Sequence, residues 1–213
     1  MGEIGSGTEE ILGDSEDFEV QEYLEYEIDD FDDDKIFNSK FFILTSESKT
    51  AEYVIKSLLK KTIYEYGVLI TTHKKYSDFY LKDPAFDKRC LYTGYFPPME
   101  PRCFLEHMFL IFDGNLYRKM YEVTEKVIKN MFFMITDHTF YEDFKYDFVI
   151  IMSCDDRFSL KQIHTKYLSN DEEFSDFIEF VELCLDAISK DRYIVIDVNV
   201  KDGPSKIVQY HVD

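Results

Sequence analysis

The strongest constraint on the fold of this chain is a series of short, predominantly apolar runs separated by segments with helical periodicity. Such runs are too short for typical helices and lack the alternation of a sheet with one solvated face. Each therefore predicts a strand that is buried on both sides. The first predicted strand ends with Ile43 and Leu44. The others span residues 67–72, 89–95, 107–113, 131–136 and 147–152.

Helical periodicity follows the first strand and recurs along the chain. The apolar residues of the first predicted helix are Ala51, Val54, Ile55, Leu58 and Leu59. Further helices are predicted over residues 116–130, 158–168 and 172–189. The last segment alternates on either side of Asp202-Gly203-Pro204, which predicts a terminal β-hairpin. Together these elements predict an α/β domain with a mainly parallel sheet, helices on both faces and a C-terminal antiparallel hairpin.

The negative charge is concentrated at the N-terminus. Residues 1–34 contain 15 Asp or Glu and no Lys or Arg, whereas the rest of the chain carries 28 acids and 24 bases. We therefore divide the chain into an acidic arm, residues 1–35, and a globular domain, residues 36–213. The arm is either a solvated tail, because clustered like charges repel, or a segment that folds onto a basic partner.

Several classes of protein are disfavoured by composition and spacing. No apolar run approaches the ~20 residues that cross a bilayer, and the N-terminus lacks the pattern of a signal peptide, so an intracellular protein without a membrane anchor is expected. The four Cys and five His show no metal-ligand spacing, so no zinc or other metal cluster is expected. No basic stripe accompanies the aromatic residues, so autonomous nucleic-acid binding is not expected.

The stretch "FFILTSESKTAEYVIKSLLKK", residues 41–61, has the order of a phosphate-binding loop: strand, small-polar turn, Lys-Thr pair, helix. In a working loop, glycines let backbone N–H groups wrap the phosphates, while Lys and Ser/Thr bind phosphate and Mg²⁺. Lys49 and Thr50 stand at the helix start, but the turn has no glycine and contains the acid Glu47. A plain helix N-cap explains the same residues.

Asp113 closes the very apolar run "MFLIFDG". An acid at the tip of such a strand is typical of a Walker-B strand, where it holds Mg²⁺. It is equally typical of an acid that caps the following turn. The two interpretations are about even on the local sequence alone.

From about residue 41 onward, roughly four fifths of the chain resembles the DNA-packaging ATPases of nucleocytoplasmic large DNA viruses, P-loop motors of the FtsK/HerA-like group. The blocks that carry the resemblance occur in order: "FFIL…KT…VIKSLLKK", "GVLITTHKKYSDFY", "FLIFDG", "FFMITDH", "DFVIIMSCDD" and "YIVIDVNVKDGPSKIVQYHV". The resemblance implies a P-loop NTPase-like domain.

Position by position, the resemblance implies a degraded site. Lys49 and Thr50 match the Walker-A Lys and Ser/Thr, and Asp113 matches the metal-binding acid. Gly114 stands where the family has its second acid, and Asp137 stands at the sensor position, which is usually Gln. The family's arginine-bearing turn before the sensor strand is missing. Because a finger arginine alone is worth ~10³–10⁵ in rate, little catalysis is expected to survive.

The resulting expectation is a pseudo-ATPase that acts as a structural or interaction subunit in virus assembly or genome packaging, located in the virus factory of the host cytoplasm or in the virion. Its partners would be the packaging ATPase, a capsid or core component, or a basic protein bound through residues 1–34. No catalytic residue and no cofactor are expected.

Two alternatives stay open. One is a divergent, active packaging-type ATPase that binds ATP with Mg²⁺ through Lys49, Thr50 and Asp113 and takes an arginine from a partner. The other is an acidic DNA-mimic or inhibitor protein that occupies a basic groove through the acidic arm.

Overall fold

The structure is a computed structural model. It describes residues 28–37, 39–46, 48–61, 66–71, 91–93, 108–113, 132–203 and 206–212. Within these ranges the strands are β1 (Lys40–Leu44), β2 (Tyr66–Thr71), β3 (Leu91–Thr93), β4 (Met108–Asp113), β5 (Phe132–Asp137), β6 (Phe148–Ile151), β7 (Arg192–Asp197) and β8 (Ile207–His211). The helices are α1 (Ser48–Lys60), α2 (Arg157–Tyr167) and α3 (Phe177–Ser189), with a short 3₁₀ helix at Asp33–Ile36.

All eight described strands belong to one sheet, in the order β3-β2-β4-β5-β1-β6-β7-β8. The strands from β3 to β6 pair in parallel, whereas β7 pairs antiparallel with both β6 and β8. The mixed α/β fold, with a mainly parallel sheet and a terminal antiparallel hairpin, is therefore confirmed.

Both faces of the central sheet are covered, which explains why the strands are apolar without alternation. On one face, Phe41 and Ile43 of β1 pack with Ala51, Ile55 and Leu58 of α1. On the other face, residues of β1 and β6 pack with the helices α2 and α3; the buried residues there include Phe42, Leu44, Val149, Ile151, Leu160, Ile163, Phe180 and Val181. None of the helices in the described ranges is long and apolar enough to cross a membrane.

The helix predicted over 172–189 begins later, at Phe177. The buried carboxylate of Asp171 accepts hydrogen bonds from the amides of Glu173 and Phe174 and so closes a separate turn. Asp176 then caps α3, because its carboxylate accepts from the amides of Ile178 and Glu179. The helix predicted over 116–130 lies outside the described residues.

Residues 28–36 pack along the outer side of β8 rather than extending away from the domain. The amide of Phe31 donates to the carbonyl of Gln209 at 2.8 Å. The Phe31 ring meets Phe148 edge-on, with 5.0 Å between ring centroids, and Ile36 is 1% exposed. The predicted boundary between residues 35 and 36 therefore lies inside a packed segment.

Candidate functional site

The predicted site residues share the carboxyl edge of the parallel strands. Asp137, the last residue of β5, is opposite Leu44, the last residue of β1. On the other side of β5, Thr136 is opposite Asp113, which ends β4. The carboxyl ends of parallel strands are where open α/β sheets bind ligands. The tertiary structure therefore brings Asp113, Asp137 and the turn after β1 to neighbouring positions on that edge.

Lys49 and Thr50 are the second and third residues of α1, in the helical turn that follows β1. The side chains of Lys49, Thr50 and Asp113 lie outside the described part of the structure, as do all of Glu47 and Gly114. Their roles in binding a nucleotide or Mg²⁺ therefore stay predictions. Their backbone positions match the sequence prediction of a helix start after β1 and an acid at the tip of β4.

The turn after β1 is held from both sides. The amide of Thr45 donates to the carbonyl of Asp137 at 3.0 Å, and the amide of Met152 donates to the carbonyl of Leu44 at 2.9 Å. The end of β1 is thus tied by backbone hydrogen bonds to the ends of both neighbouring strands.

The side chain of Asp137, at the predicted sensor position, faces its own turn. Its exposed fraction is 0%. Oδ1 accepts from the amides of His138 at 2.7 Å and Thr139 at 3.2 Å, and Oδ2 accepts from the hydroxyl of Tyr141 at 2.5 Å. The Nδ1 atom of His138 lies 2.9 Å from Oδ1. These contacts use the carboxylate to close the turn between β5 and the following loop.

The turn between β6 and α2 adds two acids to the same edge. The sequence "SCDD", residues 153–156, forms the turn that joins β6 to α2. Hydrogen bonds from Ser46 and Ser153 hold the pKa of the exposed Asp155 carboxyl below its usual value. The hydroxyl of Ser159 and the amide of Phe158 likewise lower the pKa of Asp156.

Asp156 is the N-cap of α2 and occupies the position that an anion would take at that helix end. Its Oδ1 accepts from the amide of Phe158 at 3.0 Å, and its Oδ2 accepts from Ser159 Oγ at 2.7 Å. The same Ser159 hydroxyl accepts from the amide of Phe140 at 3.1 Å, which ties α2 to the loop after β5. A helix N-terminus attracts phosphate through its unpaired N–H groups, and here a protein carboxylate already satisfies one of them.

Sequence reasoning did not place Asp155, Asp156 or Arg157 at this edge. The Asp155-Asp156 pair and Ser159 three residues after Asp156 form a local pattern that is compatible with a helix N-cap. The position of this turn beside the turn after β1 follows from the β1–β6 pairing, which no local pattern encodes. In the described ranges, no group of three or more His, Cys, Asp or Glu is placed to hold a metal ion.

A second polar region lies at the opposite edge of the sheet. Its open depression, of about 470 Å³, is lined in part by Lys35, Asp147 and Asp197. Lys35 Nζ is 2.9 Å from Asp197, whose other oxygen accepts from the amide of Asn199 at 3.0 Å. Asp147 accepts from the amide of Lys40 at 2.9 Å. Both carboxylates therefore hold the chain together rather than facing the depression unpaired.

Comparison of the chain with protein-family models, with curated protein sequences and with solved structures found no match.

Proposed function

We propose that this protein is a catalytically silent member of the P-loop NTPase-like fold, related to the DNA-packaging ATPases of large DNA viruses, that acts as a structural or interaction subunit in virus assembly or packaging. It would work in the virus factory or the virion. The arrangement of strand ends supports the ancestry. A packaging-type site needs the Lys-Thr helix start, the Asp113 strand tip and the sensor strand at one edge, and β1, β4 and β5 end there.

The proposed absence of ATPase activity is supported by the residues at the carboxyl edge of the parallel strands. The observation that carries the proposal is the buried carboxylate of Asp137 at the predicted sensor position, which accepts hydrogen bonds from the amides of His138 and Thr139 and from the hydroxyl of Tyr141. This carboxylate therefore serves its own turn instead of a sensor role. The turn after β1 contains the acid Glu47 and has no glycine through which backbone N–H groups could approach a polyphosphate.

An interaction role is supported by the way the acidic arm is anchored. Residues 28–36 pack on β8, and the remaining arm, residues 1–27, carries 10 of the 15 acids of residues 1–34. A strongly acidic segment joined to a packed anchor suits a basic partner, because opposite charges speed and orient association. The partner classes are the packaging ATPase, a capsid or core component, or another basic protein.

The first experiment is a titration of the purified full chain with ATP and Mg²⁺, followed by calorimetry and by phosphate release. We expect a dissociation constant for ATP in the millimolar range or weaker, and no ATP hydrolysis. The Lys49→Ala variant should give the same result. Micromolar binding that is lost in Lys49→Ala would contradict the proposal and establish the divergent ATPase instead. Asp155→Asn serves as a matched variant: if one acid alone blocks the site, this substitution restores measurable binding.

The second experiment tests the arm as an interaction element. The chain is compared with a variant lacking residues 1–27, which keeps the Phe31 anchor, and with one whose 10 acids in that segment are replaced by Asn and Gln. Recovery of packaging, capsid or core components from infected cells by the intact chain alone supports the proposal. Equal recovery by all three contradicts the role of the arm. Release of the partner by competing DNA indicates a DNA mimic.

A further inference from the structure

The helices α2 and α3 lie side by side on one face of the sheet. The ring of His164 on α2 lies 5.3 Å from Phe177 and 5.5 Å from Phe180 of α3, measured between centroids. Lys161 Nζ of α2 lies 4.4 Å from the centroid of the Phe177 ring. The inner sides of both helices belong to one buried cluster with the strands. Their outer sides therefore form a shared face that is exposed to solvent.

This outer face exposes three large apolar side chains. Phe158 of α2 is 69% exposed, and Ile178 and Leu185 of α3 are 68% and 46% exposed. Ile178 and Leu185 are two helical turns apart, so they lie on the same side of α3. Among the residues that the structure describes, these are three of the five large apolar side chains that are exposed. Single exposed apolar residues are normal, whereas a group on two adjoining helices favours a contact surface.

The two helices carry charges of opposite sign. Helix α2 contains three Lys or Arg and no acid, whereas α3 contains three Asp or Glu and no Lys or Arg. Arg157 and Lys161 are exposed about one helical turn apart on α2, and so are Glu179 and Glu182 on α3. In residues 157–189, all of which the structure describes, no ion pair joins the two helices. The outer face therefore has a basic half and an acidic half, each with exposed apolar residues.

We propose that this outer face is the interface of a two-fold symmetric dimer of the chain. A two-fold axis between the helices sets α2 of each copy against α3 of the other, so the basic half meets the acidic half twice. Phe158, Ile178 and Leu185 then lie inside the contact, and the charged residues fix its register. A second copy is the partner that fits this face, because the face carries both members of the charge complementarity.

This dimer is expected to dissociate on dilution. The net charge of -19 on each chain opposes association. Both helices already bury their inner sides within one chain, so a single chain folds without its partner. Substitutions on the outer face should therefore change the dissociation constant of the dimer and leave the free energy of unfolding of the monomer nearly unchanged. The dimer also needs neither a nucleotide nor the acidic arm.

The test is analytical ultracentrifugation of the full chain over a series of concentrations, in which the mass should rise from one chain to two. The first charge-reversed variant is Arg157→Glu with Lys161→Glu, and the second is Glu179→Lys with Glu182→Lys. Each should raise the dissociation constant by at least about tenfold, because like charges then meet at both contacts. An equimolar mixture of the two variants should dimerise again. In that pair the two reversed helices face each other, and the two unaltered helices still match.

A Lys60→Glu, Lys201→Glu double variant is the matched control for the first charge-reversed variant. It makes the same change in net charge at exposed residues outside α2 and α3, so the dissociation constant should stay the same. Circular dichroism and urea unfolding check that every variant keeps the fold. A chain that stays single at every concentration, or that assembles beyond two copies, would overturn the proposal. A control that weakens the dimer equally, or a mixture of reversed variants that stays monomeric, would also overturn it.

Discussion

Acidic residues are held in opposite ways at the carboxyl edge of β5 and β6 and at the β7–β8 side of the sheet. At the carboxyl edge, Asp137 and Asp156 accept hydrogen bonds from donors within four residues. On the β7–β8 side, the acids pair with residues far away in sequence: Lys35 reaches Asp197, and His211 reaches Asp30. The acids at the first edge stabilise their own turns, whereas those on the second side hold the N-terminal segment against the sheet.

This difference separates two kinds of stability. Local capping bonds form in any fold that keeps the turn, so their removal affects the turn. The docking contacts exist only when the arm lies on the sheet, so their removal frees the arm. Four substitutions test these expectations and are given in order of decreasing effect on stability.

The Phe31→Ala substitution removes the main anchor of the docked segment. The Phe31 ring lies 5.0 Å from Phe148 and 6.0 Å from Tyr210, measured between centroids. Because Phe31 is only partly buried, we expect a loss near the lower end of Phe-to-Ala values, about 3 kcal/mol, in urea unfolding. The control is Phe158→Ala, whose ring is 69% exposed and which should change stability by less than about 0.5 kcal/mol. Equal losses would show that residues 28–36 are not an anchor.

The Asp137→Ala substitution tests the local turn at the carboxyl edge. It leaves the amides of His138 and Thr139 and the hydroxyl of Tyr141 without their acceptor. We expect a loss of about 2 kcal/mol, measured by chemical unfolding. Asp155→Ala, at an exposed carboxylate on the same edge, should cost clearly less. If the order is reversed, the turn after β6 rather than the turn after β5 holds this edge together.

The Lys35→Met substitution keeps the aliphatic stem but removes the charge that faces Asp197. The Asp197 side chain is 5% exposed, and the Lys35 side chain is 45% exposed. Solvent screening at Lys35 reduces the expected loss to about 1 kcal/mol. Lys190→Met, in the exposed pair with Asp186, is the matched control and should have no measurable effect. If the decrease in the free energy of unfolding caused by Lys35→Met vanishes at high salt, the Lys35–Asp197 pair is only a surface interaction.

The smallest effect is a pH dependence at His164. Burial lowers the pKa of this imidazole below its ordinary value of 6.5. As pH falls below about 6.5, the unfolded chain takes up a proton that the native chain does not, so stability decreases. Between pH 7.5 and pH 5.5, the free energy of unfolding of His164→Gln should decrease less than that of the wild-type chain. If the free energy of unfolding of His164→Gln decreases as much as that of the wild type, groups other than His164 cause the decrease.

Much of the fold was predictable because it is governed by burial on two faces. Strands β4 and β6 could be found from continuous apolar runs, since residues buried on both sides need no alternation. The late start of α3 at Phe177 could not be predicted from the sequence. The Asp171 carboxylate accepts hydrogen bonds from the amide of Glu173, which forms a turn, and from the amide of the distant Gly203. The packing of residues 28–36 on the sheet was not predicted, because the acidic composition of this segment indicated an arm outside the domain. The contact made by Phe31 has no signal in the local sequence.

The amino-acid sequence alone indicated most of the strands and helices, because apolar periodicity and capping residues act over a few neighbouring positions. It also determined that the Lys49-Thr50 turn has no glycine. The tertiary structure was needed to place the turn after β1 beside the turn after β6 and to bring Phe31 against Phe148. Each of these contacts joins segments far apart in the chain, so it exists only once strand order has brought their ends together.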